Sequence, residues 1–461
     1  MGLLSNVKAT FRRLRIRSTY NRNLFSKARE MAMDEIDHPQ NHAFACELII
    51  RSFYNDERWV EIIAFTDLYP GMDRGNYREK AEWKLSVIVG IETRIPQKNA
   101  AEEWNSHDLL SNWYQEDHLL WLRYPNGWIY WEMPTDFRLD TTHPNLLALA
   151  LSVVLRPLKV GIPDTTSEPR PFGSCGALAF SGGFDSTAAA ILLPDSTILS
   201  YHRRSFPSQL NHGLADHLFD FWKKRTSRSI LQVLSNHELV RTTIGKPAGF
   251  STDFASGVHL ILLADTLDLG RIAYGTPIDN TWLKKGSEYR DFAKSEYWCR
   301  WKKRFAVAGL HLEFPINHIS EAGALRICQK SGFIEHINSC LRGNGAEGCG
   351  KCWKCFNKNG PLGRPMDFDG PEIQTYLNRV PMPTAQHALW ALKCQKLELK
   401  APHLARNLEK SLEWWEEYYP PGIDLIGKHW REAVEIATNR YLKPMEFPFL
   451  LEEVNLYPNR D

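Results

Sequence analysis

Two clusters of residues in this 461-residue chain have the types and spacing that do chemistry. Ser181-Gly182-Gly183-Phe184-Asp185-Ser186-Thr187 sets two glycines, three hydroxyls and a carboxylate directly behind the apolar run 177–180. Glycines let a backbone turn sharply and approach a ligand, and a helix opening at Asp-Ser-Thr aims unpaired N–H groups at whatever sits there. Phosphate is the natural occupant of such a loop. The run is not a Walker A, because no Gly-Lys-Ser/Thr follows the glycines. It is not the dinucleotide fingerprint either, whose third glycine is replaced by Asp185-Ser186.

The second cluster is Cys340, Cys349, Cys352 and Cys355, spaced C-x8-C-x2-C-x2-C. Two overlapping Cys-x-x-Cys knuckles and one distal thiolate can close a tetrahedral site, and zinc in such a four-thiolate cage is usually structural. Soft thiolates would also accept an iron–sulfur cluster, and spacing alone leaves that open. Nine cysteines, an odd number with four crowded together, fit a metal site in a reducing compartment better than a disulfide framework.

For the 181–187 loop to work, it must join the end of a buried strand to the start of a helix. Strand-like runs at 177–180, 196–201, 230–234, 271–274 and 310–314 alternate with helical ones at 188–193, 209–225, 254–269, 290–308 and 321–332. That alternation predicts an α/β domain with a doubly wound parallel sheet over 172–360. Ligands in such sheets sit beyond the carboxyl ends of the strands, where Ser181, His202, Gly275 and Pro315 would project. Upstream, β-rich runs at 46–54, 58–65, 82–90 and 118–124 predict a mainly antiparallel β accessory domain over 1–165. Residues 157–171, rich in Pro, Ser and Thr, read as a linker. Residues 361–461 read as a helical extension.

Composition narrows the class. Charges nearly cancel at a formal +2, so nothing in the overall balance demands nucleic acid. No apolar run approaches the ~20 residues of a membrane span, and no secretory leader is visible, which places the expected site of action in the cytoplasm with no membrane partner. A basic arm with Arg12, Arg13, Arg15 and Arg17 could meet RNA or an acidic partner, or pack on its own domain.

The Ser-Gly-Gly-x-Asp-Ser loop resembles the pyrophosphate loop (PP-loop) of the N-type ATP pyrophosphatases, which split ATP into AMP and pyrophosphate while activating a carboxylate or related oxygen. Taken with the cysteine spacing, the segment 175–360 resembles the 7-cyano-7-deazaguanine synthase (QueC) family. Gly275-Thr-Pro-Ile-Asp279 and Tyr289-Arg-Asp291 are similar to that family's Gly-x-x-x-Asp and Tyr-x-Asp elements. The resemblance implies an adenine nucleotide alpha hydrolase-like fold and an ATP-dependent ligase. Ser181, Gly182, Gly183, Phe184, Asp185, Ser186, Thr187 and Gly275 would hold ATP, and Asp185 would also face Mg²⁺. Asp279 and Asp291 join Ser181 and Asp185 as candidate catalytic residues, and the four cysteines would hold a structural Zn²⁺. It further implies a small-molecule carboxylate substrate such as 7-carboxy-7-deazaguanine and a homodimer. A protein partner would be recruited through the N-terminal domain, as in relatives from anti-phage defence operons that join the activated carboxylate to a protein.

The family's Arg-Asn pair is absent around 251–253, and its lysine near 319–321 is replaced. Two other outcomes stay open: an acyl-adenylate used for epimerisation of a cell-wall peptide precursor, and a nucleotide-binding module that only recruits a partner.

Overall fold

The computed structural model describes residues 2–89, 95–163, 167–206, 210–226, 228–340, 342–343 and 347–458. The chain divides into two compact units, one of residues 1–94 with 206–209 and one of 95–205 with 210–461.

The first unit is helical: α1 Gly2–Asn21, α2 Phe25–Met33, α3 His42–Asn55, α4 Trp59–Leu68 and α5 Tyr77–Val89. This corrects the expectation of antiparallel strands at 46–54, 58–65 and 82–90, of which residue 90 lies outside the described residues. The β-branched and aromatic residues there do favour strands weakly, but the burial follows a helical period. Ala45, Ile49 and Phe53 line one side of α3, and Trp59, Ile62, Phe65 and Thr66 one side of α4. These faces meet in one apolar core with Ala28, Ala32 and Ala81.

The second unit is built on an eight-stranded sheet. Its strands include β1 Trp113–Glu116, β2 Leu119–Tyr124, β3 Gly127–Glu132, β4 Cys175–Ala179, β5 Ile198–Arg204, β6 Ile230–Ser235 and β7 Leu269–Tyr274. A separate hairpin pairs β8 Leu283–Lys284 with β9 Glu288–Tyr289, and β10 His311–Glu313 completes the large sheet in the order β1-β2-β3-β6-β5-β4-β7-β10. From β6 to β10 all neighbours are parallel. The β1–β3 meander is antiparallel and joins β6 through Trp131 and Ser235. The strands expected at 118–131 therefore extend the parallel sheet and do not form a separate N-terminal domain; Asn236 Oδ1, accepting the Tyr130 N–H at 2.8 Å, helps fix that junction.

Helices α6 Pro144–Val154, α7 Phe184–Leu192, α8 Gly213–Arg225, α9 Val258–Leu262, α10 Glu296–Val307 and α11 Glu321–Lys330 intervene between or follow the strands. All of α6 beyond Pro144 is buried, as its sequence Asn-Leu-Leu-Ala-Leu-Ala-Leu-Ser-Val-Val requires. The later helices α12 Pro371–Leu377, α13 Ala385–Cys394, α14 Ala405–Leu408, α15 Pro420–Ile423 and α16 Lys428–Tyr441 share the same apolar core as the sheet, so 361–461 completes this unit.

Chain order places the site. From β4 the chain runs outward through β5 and β6, then returns to lay β7 on the opposite side of β4. The crevice beyond the carboxyl ends of β4 and β7 is thus a topological switch point. The 181–187 loop leaves β4 there, and Gly275 leaves β7.

Candidate functional site

The loop turns at Gly182, whose φ of +74° lies in the left-handed region that favours glycine. Gly183 then caps α7 with backbone alone. Among the first-turn amides, Phe184 N–H donates to Ser339 Oγ at 3.2 Å and Thr187 N–H to the Gly183 carbonyl at 2.9 Å. The amides of Asp185 and Ser186 have no acceptor among the described residues, so the helix N-terminus keeps the open donors an anion would take. Ser181 and Ser186 hydroxyls lie 3.0 Å apart, and Ser186 Oγ also donates to the Gly183 carbonyl. Gly275 serves by its missing side chain: a Cβ would stand 2.8 Å from Ser186 Cα. Only glycine lets β7 end so close to α7.

These residues open onto a cleft of about 1440 Å³, lined by Ser181, Gly182, Gly183, Asp185, Gly275, Ser339, Cys340 and Lys354, with Tyr201, Asp253, Tyr297 and Phe314 farther along. Tyr297 donates its hydroxyl to Asp253 Oδ2 at 2.6 Å. Three of the expected ligand-holding side chains are elsewhere: Ser186 is buried, spends its hydroxyl on Ser181 and the Gly183 carbonyl, and does not line the cleft. Phe184 is fully buried in the core, and the Thr187 hydroxyl is buried with no partner among the described residues and does not line the cleft.

Beside the cleft lies a buried ionic network. Lys358 Nζ stands 2.8 Å from Asp185 Oδ1 and 2.9 Å from Glu321 Oε2. Asp279 is fully buried and its Oδ2 accepts the Glu321 N–H at 2.9 Å, while its Oδ1 has no hydrogen-bond partner among the described residues. Burial, reinforced by the Glu321 carboxylate, pushes the Asp279 carboxyl well above its ordinary range. Burial also raises Asp185, with Lys358 opposing. For Glu321 burial pushes upward, but Lys358, His387 and Lys354 together outweigh it and hold the carboxyl low. Burial alone would depress Lys358, but its two carboxylates raise it, so it stays charged. Asp279 thus joins Asp185 in one network. Asp291 does not: it is half-buried, accepts the Lys294 N–H as the cap of a short turn, and pairs with the Lys294 ammonium at 2.7 Å.

The four cysteine sulfurs all lie within 4.8 Å of one another. Cys352 and Cys355 are 3.6 Å apart, and Cys340–Cys352 and Cys349–Cys355 are each 3.9 Å apart. A tetrahedron with metal–sulfur bonds of ~2.3 Å has edges of ~3.8 Å, so this donor set fits a metal such as zinc. The Arg342 and Cys349 N–H groups point at Cys340 Sγ at 3.3 and 3.2 Å, as a thiolate would require. Both flanks of the cysteine loop touch the phosphate-type loop. Ser339 precedes Cys340 and caps Phe184. Lys358 follows Cys355 in a π-helical turn, 355–359, and holds Asp185.

Sequence reasoning missed Ser339, Glu321, Lys354 and Lys358. His202 and Arg204, which follow the β5 core, are occupied by Glu238 at 3.1 and 2.5 Å, and Arg203 by Asp216 at 2.7 Å.

Residues 300–362 match DUF6395, a family of unknown function. The matched stretch runs from α10 through Glu321 and the whole cysteine cluster to Lys358. No curated protein and no solved structure matches the chain.

Proposed function

We propose that the cleft binds ATP with its phosphates on the 181–187 loop and transfers AMP to a small-molecule carboxylate, releasing pyrophosphate, so that ammonia or an amine can then displace AMP. The observation that carries this reading is the pair of open amides at Asp185 and Ser186, presented beside the Ser181 hydroxyl at the switch point of a parallel sheet. A carboxylate is a poor electrophile, and a mixed anhydride with AMP gives it a leaving group. The cleft is large enough to hold a nucleotide and a second substrate together.

Mg²⁺ would neutralise the leaving pyrophosphate; it demands few protein ligands, and Asp185 is the carboxylate beside the loop that would face it. Zinc is the proposed occupant of the four thiolates, where it holds the 340–355 loop against α7. Ser339 and Lys358 then fix the two sides of that helix start.

The test is product analysis after incubating the full chain with ATP and Mg²⁺ and candidate carboxylates, 7-carboxy-7-deazaguanine first, with and without ammonium. AMP and pyrophosphate formed in step with an amide or nitrile support the reading. ATP left intact with every carboxylate tried, in protein that carries its metal, counts against it.

A further inference from the structure

Two lysines one helical turn apart leave the cysteine loop toward the cleft, and only one of them is matched. Lys358 is enclosed by Asp185 and Glu321. Lys354, half-buried, lines the cleft together with Ser181, Gly182, Gly183 and Asp185. Its ammonium makes no hydrogen bond or ion pair among the described residues; the Trp353 ring lies 5.8 Å from Nζ to the centroid, and Asp185, Glu321 and Cys352 act on it only at longer range. A partly desolvated cation with no directly bonded counter-ion is unfavourable in the ligand-free protein, and an anion delivered into the cleft would relieve it.

The surroundings specify the class of anion. Asp185, with its open amide, and Ser181, with its hydroxyl, line the same cleft as Lys354, so the ligand offers several oxygens in a row, as a polyphosphate does and a single carboxylate does not. Lys354 sits between Cys352 and Cys355, so the proposed metal sets where its backbone stands.

We propose that Lys354 is the charged ligand for the polyphosphate chain in this cleft, contacting the part that leaves as pyrophosphate. The role deepens, and rests on, the nucleotide reading above. Lys358 is a positioning residue that keeps Asp185 in place and does not itself touch the ligand.

The experiment is calorimetric titration of the full chain with inorganic pyrophosphate, ATP and adenosine in the presence of Mg²⁺, for wild type, Lys354→Met and Lys354→Arg, with bound metal and thermal midpoint measured on each preparation. Lys354→Met is expected to weaken pyrophosphate and ATP at least about tenfold while adenosine, metal content and midpoint stay at wild-type values, and Lys354→Arg to recover most of the affinity. Pyrophosphate binding unchanged in Lys354→Met overturns the assignment even if wild type binds ATP well. Lys354→Arg as weak as Lys354→Met also overturns it, since charge would then not be what matters. A wild type that binds neither pyrophosphate nor ATP overturns the nucleotide reading itself, and this assignment with it.

Discussion

Lys358, three residues beyond the last cysteine of the cluster, places its ammonium 2.8 Å from the Asp185 carboxylate in the first turn of α7. One side chain thereby ties the cysteine loop to the glycine loop. Glu321 completes the arrangement at 2.9 Å, and Asp279 backs it through the Glu321 amide. Lys358→Met would leave the Asp185 and Glu321 carboxylates crowded with no matching cation. Removing one partner of a buried pair costs about 3–5 kcal/mol, and that loss is expected in the denaturant midpoint of the sheet-containing unit. Asp185→Asn should cost clearly less, because Glu321 still pairs with Lys358 and the amide can still accept a hydrogen bond. Equal losses for the two variants would show that the network does not depend on Lys358.

Metal removal should be felt in the nucleotide loop. Cys352 is buried within 3.9 Å of Cys340 and 3.6 Å of Cys355, so Cys352→Ser breaks the donor set at its centre. The variant should purify without stoichiometric zinc, as read by elemental analysis. Its α7 start should lose protection against hydrogen exchange at Phe184, whose amide depends on Ser339 next to Cys340. Full protection at Phe184 in metal-free protein would separate the two loops energetically.

How legible the chain was depends on which contacts fixed each part. The glycine loop and the cysteine spacing are local, and the strand alternation that frames them survives in β4, β5, β6 and β7. Residues 46–54 misled because Glu-Leu-Ile-Ile carries β-branched side chains, yet Ala45, Ile49 and Phe53 share a helical face and packing decided the matter. Lys358 and Glu321 carry no motif. They lie 37 residues apart in sequence, and only the closure of the cysteine loop onto α7 and α11 makes them partners. Asp291 was singled out by a three-residue pattern, and a capping aspartate satisfies that pattern equally well.

Glu313 should make a contribution to stability that falls as the pH rises from about 5 to 8, against the buried histidines His259, His318 and His387, whose depressed values make stability rise over the lower part of that range. Glu313 ends β10, is 4% exposed, and accepts the Gly427 N–H at 2.8 Å. Burial raises its carboxyl to about 7, against the opposing pull of Gly427, Arg271, Lys302 and Arg431. A folded-state value above the unfolded one means the native protein holds the proton longer. The contribution is therefore fully present below the ordinary value of 4.5 and lost as the pH climbs through 7. The difference corresponds to about 3 kcal/mol. Glu313→Gln keeps an acceptor for Gly427 without titrating, so the wild-type advantage in thermal midpoint over this variant should shrink as the pH rises across that range; a difference that does not change with pH would show that Glu313 does not titrate there.

The two glycines of the site should respond differently to the same small change. At Gly182 the difficulty is backbone conformation: alanine in the left-handed region costs about 1–2 kcal/mol, and the new methyl would meet Ala215 Cβ at 3.3 Å, with Ala215 Cα and the Phe219 ring at ordinary contact distances of 3.5 and 3.6 Å. At Gly275 the backbone is ordinary but the methyl would press on backbone atoms, 2.8 Å from Ser186 Cα and 2.9 Å from Ser186 N. Backbone cannot rotate away, so β7 and the start of α7 must separate, at a cost of about 1–3 kcal/mol. That separation would move the open amides of Asp185 and Ser186, whereas strain at Gly182 is confined to the turn before them. Gly275→Ala is therefore expected to weaken pyrophosphate binding more than Gly182→Ala at equal loss of stability, measured by titration and denaturant unfolding on the same samples. The reverse order would mean that the ligand is held by the turn and not by the helix start.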